Sequence, residues 1–349
     1  MRRIILHIGH GKTGTSATQH LLAKNSAVLR KHGILYPHHA DNELAKRGAI
    51  TSGNVSLAQK RWFETQIIDR VRKESAYESF VFSNEVMFNR QDEFLPQLVS
   101  LAGDFRFQLI LAVREPLEVL SSIYMQEVKR KGYFGSLEEY EPSEDHISRC
   151  AETIRVCERH RIEIGVLNYS TLRRDISRAI FNLIDPHIVR DEAVDLDAAK
   201  TVNRSLSRSE LKFLMAVNRI CGPSAGKAVS DRLVDELPDI RADPVPIPFG
   251  VYEKLRQRVS TAVDFVNQFL EPKDRLRFGF AQSTPDGAAL ELSEQQVAVI
   301  LEALNSRLMT ESFRFDPKSY LLKNPDVREA RANPFEHFLN HGIAEGRGY

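Results

Sequence analysis

The chain has little cysteine: three in 349 residues, Cys150, Cys157 and Cys221, with no CxxC pair. Three thiols cannot all pair within one chain, so a disulfide scaffold is excluded, and reduced, buried cysteines in a cytoplasmic protein are expected. An excess of either charge is also missing. Lys and Arg number 48 against 47 Asp and Glu, so the overall field gives no general reason to bind nucleic acid or an anionic membrane, and any anion site must be local. Long apolar runs are absent too. The first one spans only Ile4 to Ile8 before glycines interrupt it, too short for a signal peptide or a transmembrane segment. The expectation is a soluble, cytoplasmic protein, peripheral to the inner membrane only through a lipid-linked substrate. No internal repeat or low-complexity tract stands out.

What is present first is alternation. Segments rich in β-branched and aromatic residues at Ile4–Ile8, Phe80–Ser83, Phe107–Val113 and Ile162–Leu167 alternate with helical patterns, which predicts an α/β fold, a P-loop-like parallel β-sheet flanked by helices. Ala17, Leu21, Leu22, Val28 and Leu29 form one stripe of a first helix that Gly33 stops, ahead of the short extended stretch "ILYP". From about Ser207 the pattern turns helical: "SRSE" and "SEQQ" read as helix starts, and Leu255, Val259, Val263, Val266 and Leu270 mark a long amphipathic helix between them. The expected organisation is an α/β domain with helical cover over 1–275, a linker and helix over 276–310, and a small helical module over 311–349. The stretch Glu271–Leu292, rich in Pro, Gly, Ser and charge, serves equally as linker or surface loop.

The junction of the first strand and helix reads "IGHGKTGTSA". A helix that starts just after a strand presents unpaired N–H groups and the positive end of its dipole, a setting for phosphate or sulfate. Gly11 and Gly14 let the backbone come close, and Thr13, Thr15 and Ser16 add hydroxyl donors. In the ATP/GTP loop G-x-x-x-x-G-K-[ST] the lysine follows the glycine arc; here Lys12 precedes Thr13, Gly14, Thr15 and Ser16, so that pattern is absent.

The order "KTGTS" after a strand resembles the 5′-phosphosulfate loop of sulfotransferases that use 3′-phosphoadenosine 5′-phosphosulfate (PAPS). About a hundred residues on, "LILAVREPLEVLSSIYMQ" resembles the same family's 3′-phosphate motif, a strand-end arginine followed by an acidic or amide residue and proline, with a serine eight positions on. Arg114 and Ser122 fill those places, with Ser121 as substitute. An arginine fork suits a terminal phosphate dianion, and strand carboxyl ends are where open α/β sheets hold ligands. The resemblance is to the bacterial, carbohydrate-type branch and covers roughly Arg3 to Leu270. It implies PAPS as donor and PAP as product, with a hydroxyl, or an amine, of a bacterial glycan or glycolipid as acceptor.

For the chemistry the resemblance implies a cation beside the departing phosphate, for which Lys12 stands, and a base. Glu85, in "FVFSNEVMF", follows another strand where related enzymes often carry a glutamate; His10, inside the loop and with an intrinsic pKa near neutrality, is its rival. Arg204 and Ser205, in "TVNRSLSRSE", match a region of bacterial members that approaches the nucleotide, although a loop leading into a helix accounts for them as well. The adenine contacts have no clear match, and no metal is called for. Acceptor contacts are expected from variable loops such as Asp41–Ser56 and Lys131–Asp145.

The last residues, "FDPKSYLLKNPDVREARANPFEHFLNHGIAEGRGY", resemble a short module of bacterial glycosyltransferases and surface-polysaccharide proteins, which implies docking to polysaccharide-biosynthesis proteins. It reads as two short helices around Tyr320, Leu321, Phe335, Phe338 and Leu339, ended by Gly342; His337 and His341 lie four apart without a third metal ligand. Two other readings stand: a non-catalytic nucleotide-binding partner of a polysaccharide assembly complex, and a divergent P-loop kinase, which would want carboxylates for Mg²⁺.

Overall fold

A computed structural model describes residues 1–39, 42–43, 53–140, 145–196, 204–243, 245–280, 291–312, 316–330, 332–337, 341, 345 and 347. Strands β1 (Arg3–Gly9), β2 (Ile34–Leu35), β3 (Ser79–Ser83), β4 (Arg106–Val113) and β5 (Glu163–Asn168) pair in parallel in the order β2-β3-β1-β4-β5. The α/β expectation holds, and the short "ILYP" stretch supplies the edge strand.

Alternate residues of the central strands feed two apolar layers, as a sheet covered on both faces requires. Ile4, Leu6 and Ile8 join Phe80, Phe82, Leu109 and Leu111 in the larger layer. Ile5, Val81 and Ile110 face the other way, onto Leu21 and Leu22 of the first helix and Ile180 and Phe181 of the helix Ile176–Ile184. With β1 paired on both sides, Gly9, Ser83, Val113 and Asn168 end along one edge of the sheet.

The expected single first helix is two, Thr15–Lys24 and Ser26–Lys31, parted at Asn25. That side chain donates to the Leu21 carbonyl at 2.9 Å and is tied to the backbone of Asp195, distant in sequence, in both directions. Both expected helix starts are reciprocal caps: Ser207 with Glu210, and Ser293 with Gln296. Pro116 opens the helix Pro116–Gln126 as expected.

Leu276, Val299, Ile300 and Ala303 belong to the same large core as β1. The helix Glu294–Ser312 therefore packs as part of the body, and core packing continues across the expected boundary at 275; residues 281–290 of the linker candidate lie outside the described residues. Tyr320 and Val327 form a small cluster of their own with Leu321 and Ala332. The side chain of Phe335, and Phe338, Leu339 and Gly342, lie outside the described residues. Cys150 and Cys157 are buried as expected, but Cys221 is exposed, because it ends a helix at its solvent side.

Candidate anion-transfer site

The turn between β1 and the helix Thr15–Lys24 is wound tightly. Lys12 and Gly14 both hold left-handed φ, 76° and 78°, which for the non-glycine Lys12 costs about 1–2 kcal/mol. Thr13 closes the turn by donating to the His10 carbonyl at 2.7 Å. Gly14 is required twice: its φ is positive, and a Cβ there would lie 2.9 Å from the Tyr169 ring. As N-cap, Gly14 offers no side chain to the first helical N–H groups, so they remain available to an anion. Gly11 and Lys12 are exposed, Ser16 is half-buried, and Thr13 and Thr15 are buried.

Arg114, just past the end of β4, reaches this turn. Its guanidinium donates to the Lys12 carbonyl at 3.0 Å and through Nε to Glu118 at 2.9 Å, and lies 5.4 Å from the centre of the Tyr169 ring. Ser170 and Arg173 also donate to Glu118. Burial raises the pKa of Glu118, but the bonds from Arg114 and Arg173 outweigh it and hold the carboxyl below its usual value. Ser122 lies one turn beyond Glu118, half-buried and with no hydrogen bond among the described residues, whereas Ser121 is spent on the Leu117 carbonyl at 2.9 Å.

Glu85 starts the turn after β3, fixed by its neighbour Asn84, which accepts from the Val86 N–H at 2.7 Å and donates to the Val55 carbonyl at 2.7 Å. Desolvation raises the Glu85 pKa, and the Lys12 charge opposes that rise; Lys12 in turn is lowered by desolvation, supported by Glu85 and repelled by Arg130 and Arg114. The two side chains therefore share one electrostatic neighbourhood.

His10 has a different setting. Its ring packs 5.5 Å from Phe88 and 5.0 Å from His146, its Nδ1 donates to the Gly11 carbonyl at 2.9 Å, and desolvation, then the His146 and Arg114 charges, push its pKa down to about 3. It is a neutral packing group beside a narrow cleft lined by Arg114, Val119, Asp145, His146 and Arg258.

Lys129 and Arg130 were not legible as site residues in the sequence. The helix after β4 widens over Glu127–Lys131 into a π-turn, which shifts the register and brings both beside the loop. Desolvation, then Arg130 and Lys12, push the Lys129 pKa down to about 8, while Arg130 pairs with Asp231.

No protein-family model matches the chain, and no curated protein matches it. The geometry alone therefore sorts the candidates. Gly11, Lys12, Thr13, Gly14, Thr15, Ser16 and Arg114 come together at one edge of the sheet, with Glu85 and Lys129 coupled to them through Lys12.

Arg204 corrects the expectation. All five of its N–H donors are used, two by Glu210 and the others by the carbonyls of Ser205, Leu233 and Leu237, so none is left for a nucleotide. Ser205 is exposed and gives its carbonyl to Arg204. The cause is Glu210, wholly buried as the capping residue of its helix and in need of a cation. Among the described residues no cluster of three metal-ligating side chains occurs, and His337 is hydrogen-bonded to the buried Tyr320 at 3.0 Å. Of the acceptor-loop candidates, residues 41, 44–52 and 141–144 lie outside the described residues, as do 201–203.

Proposed function

We propose that this protein is a PAPS-dependent sulfotransferase acting on a hydroxyl, or an amine, of a glycan or glycolipid. The observation that carries the reading is the bond from Arg114 to the Lys12 carbonyl, which joins two anion-type motifs 102 residues apart across the ends of β1 and β4. A nucleotide with phosphates at two positions is a ligand that two such adjoining motifs would suit.

In this reading the uncapped N–H groups and hydroxyls of Thr15 and Ser16 hold the 5′-phosphate, and Arg114 with Ser122 holds the 3′-phosphate. Glu85, raised by burial, takes the proton of the acceptor hydroxyl as its oxygen bonds to sulfur. The bond from sulfur to the bridging oxygen breaks, the electron pair leaves on the 5′-phosphate, and Lys12 stabilises that charge. His10, with a pKa near 3, is too weak a base for the task, which favours Glu85. The natural location, in this reading, is cytoplasmic or at the inner face of a membrane, where lipid-linked glycan precursors are available. No described helix is long and apolar enough to cross a membrane.

The test is product analysis. Incubation with PAPS and a panel of bacterial glycan acceptors should yield an acceptor heavier by one SO₃ group together with PAP, without added Mg²⁺. Absence of transfer to every acceptor, with tight PAP binding retained, favours a non-catalytic nucleotide-binding role.

A further inference from the structure

A second cavity, of about 470 Å³, lies beside the edge strand β2, away from the loop. Its volume falls in the range of small-ligand pockets and exceeds the need of a single inorganic ion, since a water takes about 30 Å³. Leu35, Tyr36 and Pro37 line it together with Arg30, His38, Arg70, Lys73 and Glu74. Three permanent cations thus meet one carboxylate.

None of the three cations is compensated. Among the described residues Arg30, Arg70 and Lys73 make no ion pair, and the one bond of Arg70 is a 3.4 Å donation to the His38 carbonyl. Desolvation lowers the pKa of Arg70 with no carboxylate offsetting it. A half-buried guanidinium without a partner is a cost that an anion would relieve.

A second observation points the same way. Tyr36 is only 3% exposed and lines the cavity, yet among the described residues its hydroxyl has no hydrogen-bond partner. What little of this tyrosine stays accessible includes the hydroxyl, which is not one of the fully enclosed unpartnered atoms, so a ligand can reach it. The combination of spaced cations, a lone hydroxyl and an apolar wall from Leu35 and Pro37 matches a ligand with several anionic groups on a polar ring.

We propose that this cavity binds an anionic saccharide through Arg30, Arg70 and Lys73, with the Tyr36 hydroxyl bonding a ring substituent. The proposal stands on the cavity alone and does not require the transfer chemistry.

The test is calorimetric titration of a disulfated disaccharide into the full chain at fixed ionic strength, beside the uncharged disaccharide and inorganic sulfate. Binding should be specific to the sulfated sugar and weaken about tenfold or more in the double variant Arg30→Gln/Lys73→Gln, whose sites are on the surface and leave the fold intact. Tyr36→Phe should weaken it by a smaller factor, while Lys12→Ala should leave it within about twofold. No binding by the folded wild type overturns the proposal, as does equal binding of inorganic sulfate, which shows an adventitious ion only. Full retention in the double variant, or loss in Lys12→Ala, also overturns it. PAP affinity reads the loop separately, so failure here leaves the sulfotransferase reading standing.

Discussion

At the scale of single residues, the proposed chemistry rests on three shifted side chains, Glu85, Lys12 and Lys129, and on the arginine Arg114. Glu85 carries a raised pKa, so as pH falls it is protonated earlier than an ordinary carboxylic acid and would cease to act as the proposed base. The acidic limb of the transfer rate should therefore have its midpoint above 4.5, the usual value for glutamate, and should vanish in Glu85→Gln with kcat lowered about 10²- to 10⁴-fold. A pH–rate profile checks both. Lys129 is shifted the other way, charged below about 8 and neutral above, so under the proposed function it would support an anionic nucleotide only on the acidic side of that pH. PAP affinity should decline as pH rises through 8, and Lys129→Arg, which stays charged, should remove the decline; calorimetry at a series of pH values measures it. Residue type and a strand-end position single out Lys12, Arg114 and Glu85 in the sequence, and the structure brings them to one edge of the sheet. Lys129 was not legible there, since its place depends on a π-turn that no local pattern announces, and Arg204 misled because Glu210, six residues on and buried as the acidic member of the capping box, claims its guanidinium.

At the scale of elements, the strands declared themselves through β-branched runs, and the paired helix caps through Ser–x–x–Glu and Ser–x–x–Gln. The break at Asn25 did not, because the bonds that hold it come from Asp195 across the fold. The same distinction governs stability in the helical half. Arg204 and Glu210 form a buried pair, 8% and 0% exposed, to which Gln296 of the helix Glu294–Ser312 adds a bond at 2.8 Å. Arg204→Ala strands the carboxylate and should cost about 3–5 kcal/mol in chemical denaturation, whereas Gln296→Ala should cost about 1–3. If Arg204 served the nucleotide instead, its loss would weaken PAP binding and leave stability nearly unchanged.

At the scale of the whole molecule, a parallel sheet ends four strands on one edge and places the loop of β1, the arginine after β4 and the glutamate after β3 there together. Near the C-terminus, Tyr320 and Val327 form a small apolar cluster of their own, as an independent module would have. Hydrogen exchange should show residues 317–329 opening independently of the sheet and unaffected by Arg204→Ala; protection that falls together with that of β1 would contradict the separation. The central claim is that Lys12 and Arg114 hold one nucleotide between them, and calorimetric titration of PAP into the wild type, Lys12→Ala and Arg114→Ala at fixed salt without Mg²⁺ tests it most directly. The account predicts micromolar binding by the wild type and weakening of at least about tenfold in Arg114→Ala, as loss of a charge-assisted phosphate contact requires. A folded wild type that does not bind PAP, or an Arg114→Ala variant that binds as tightly, would contradict it.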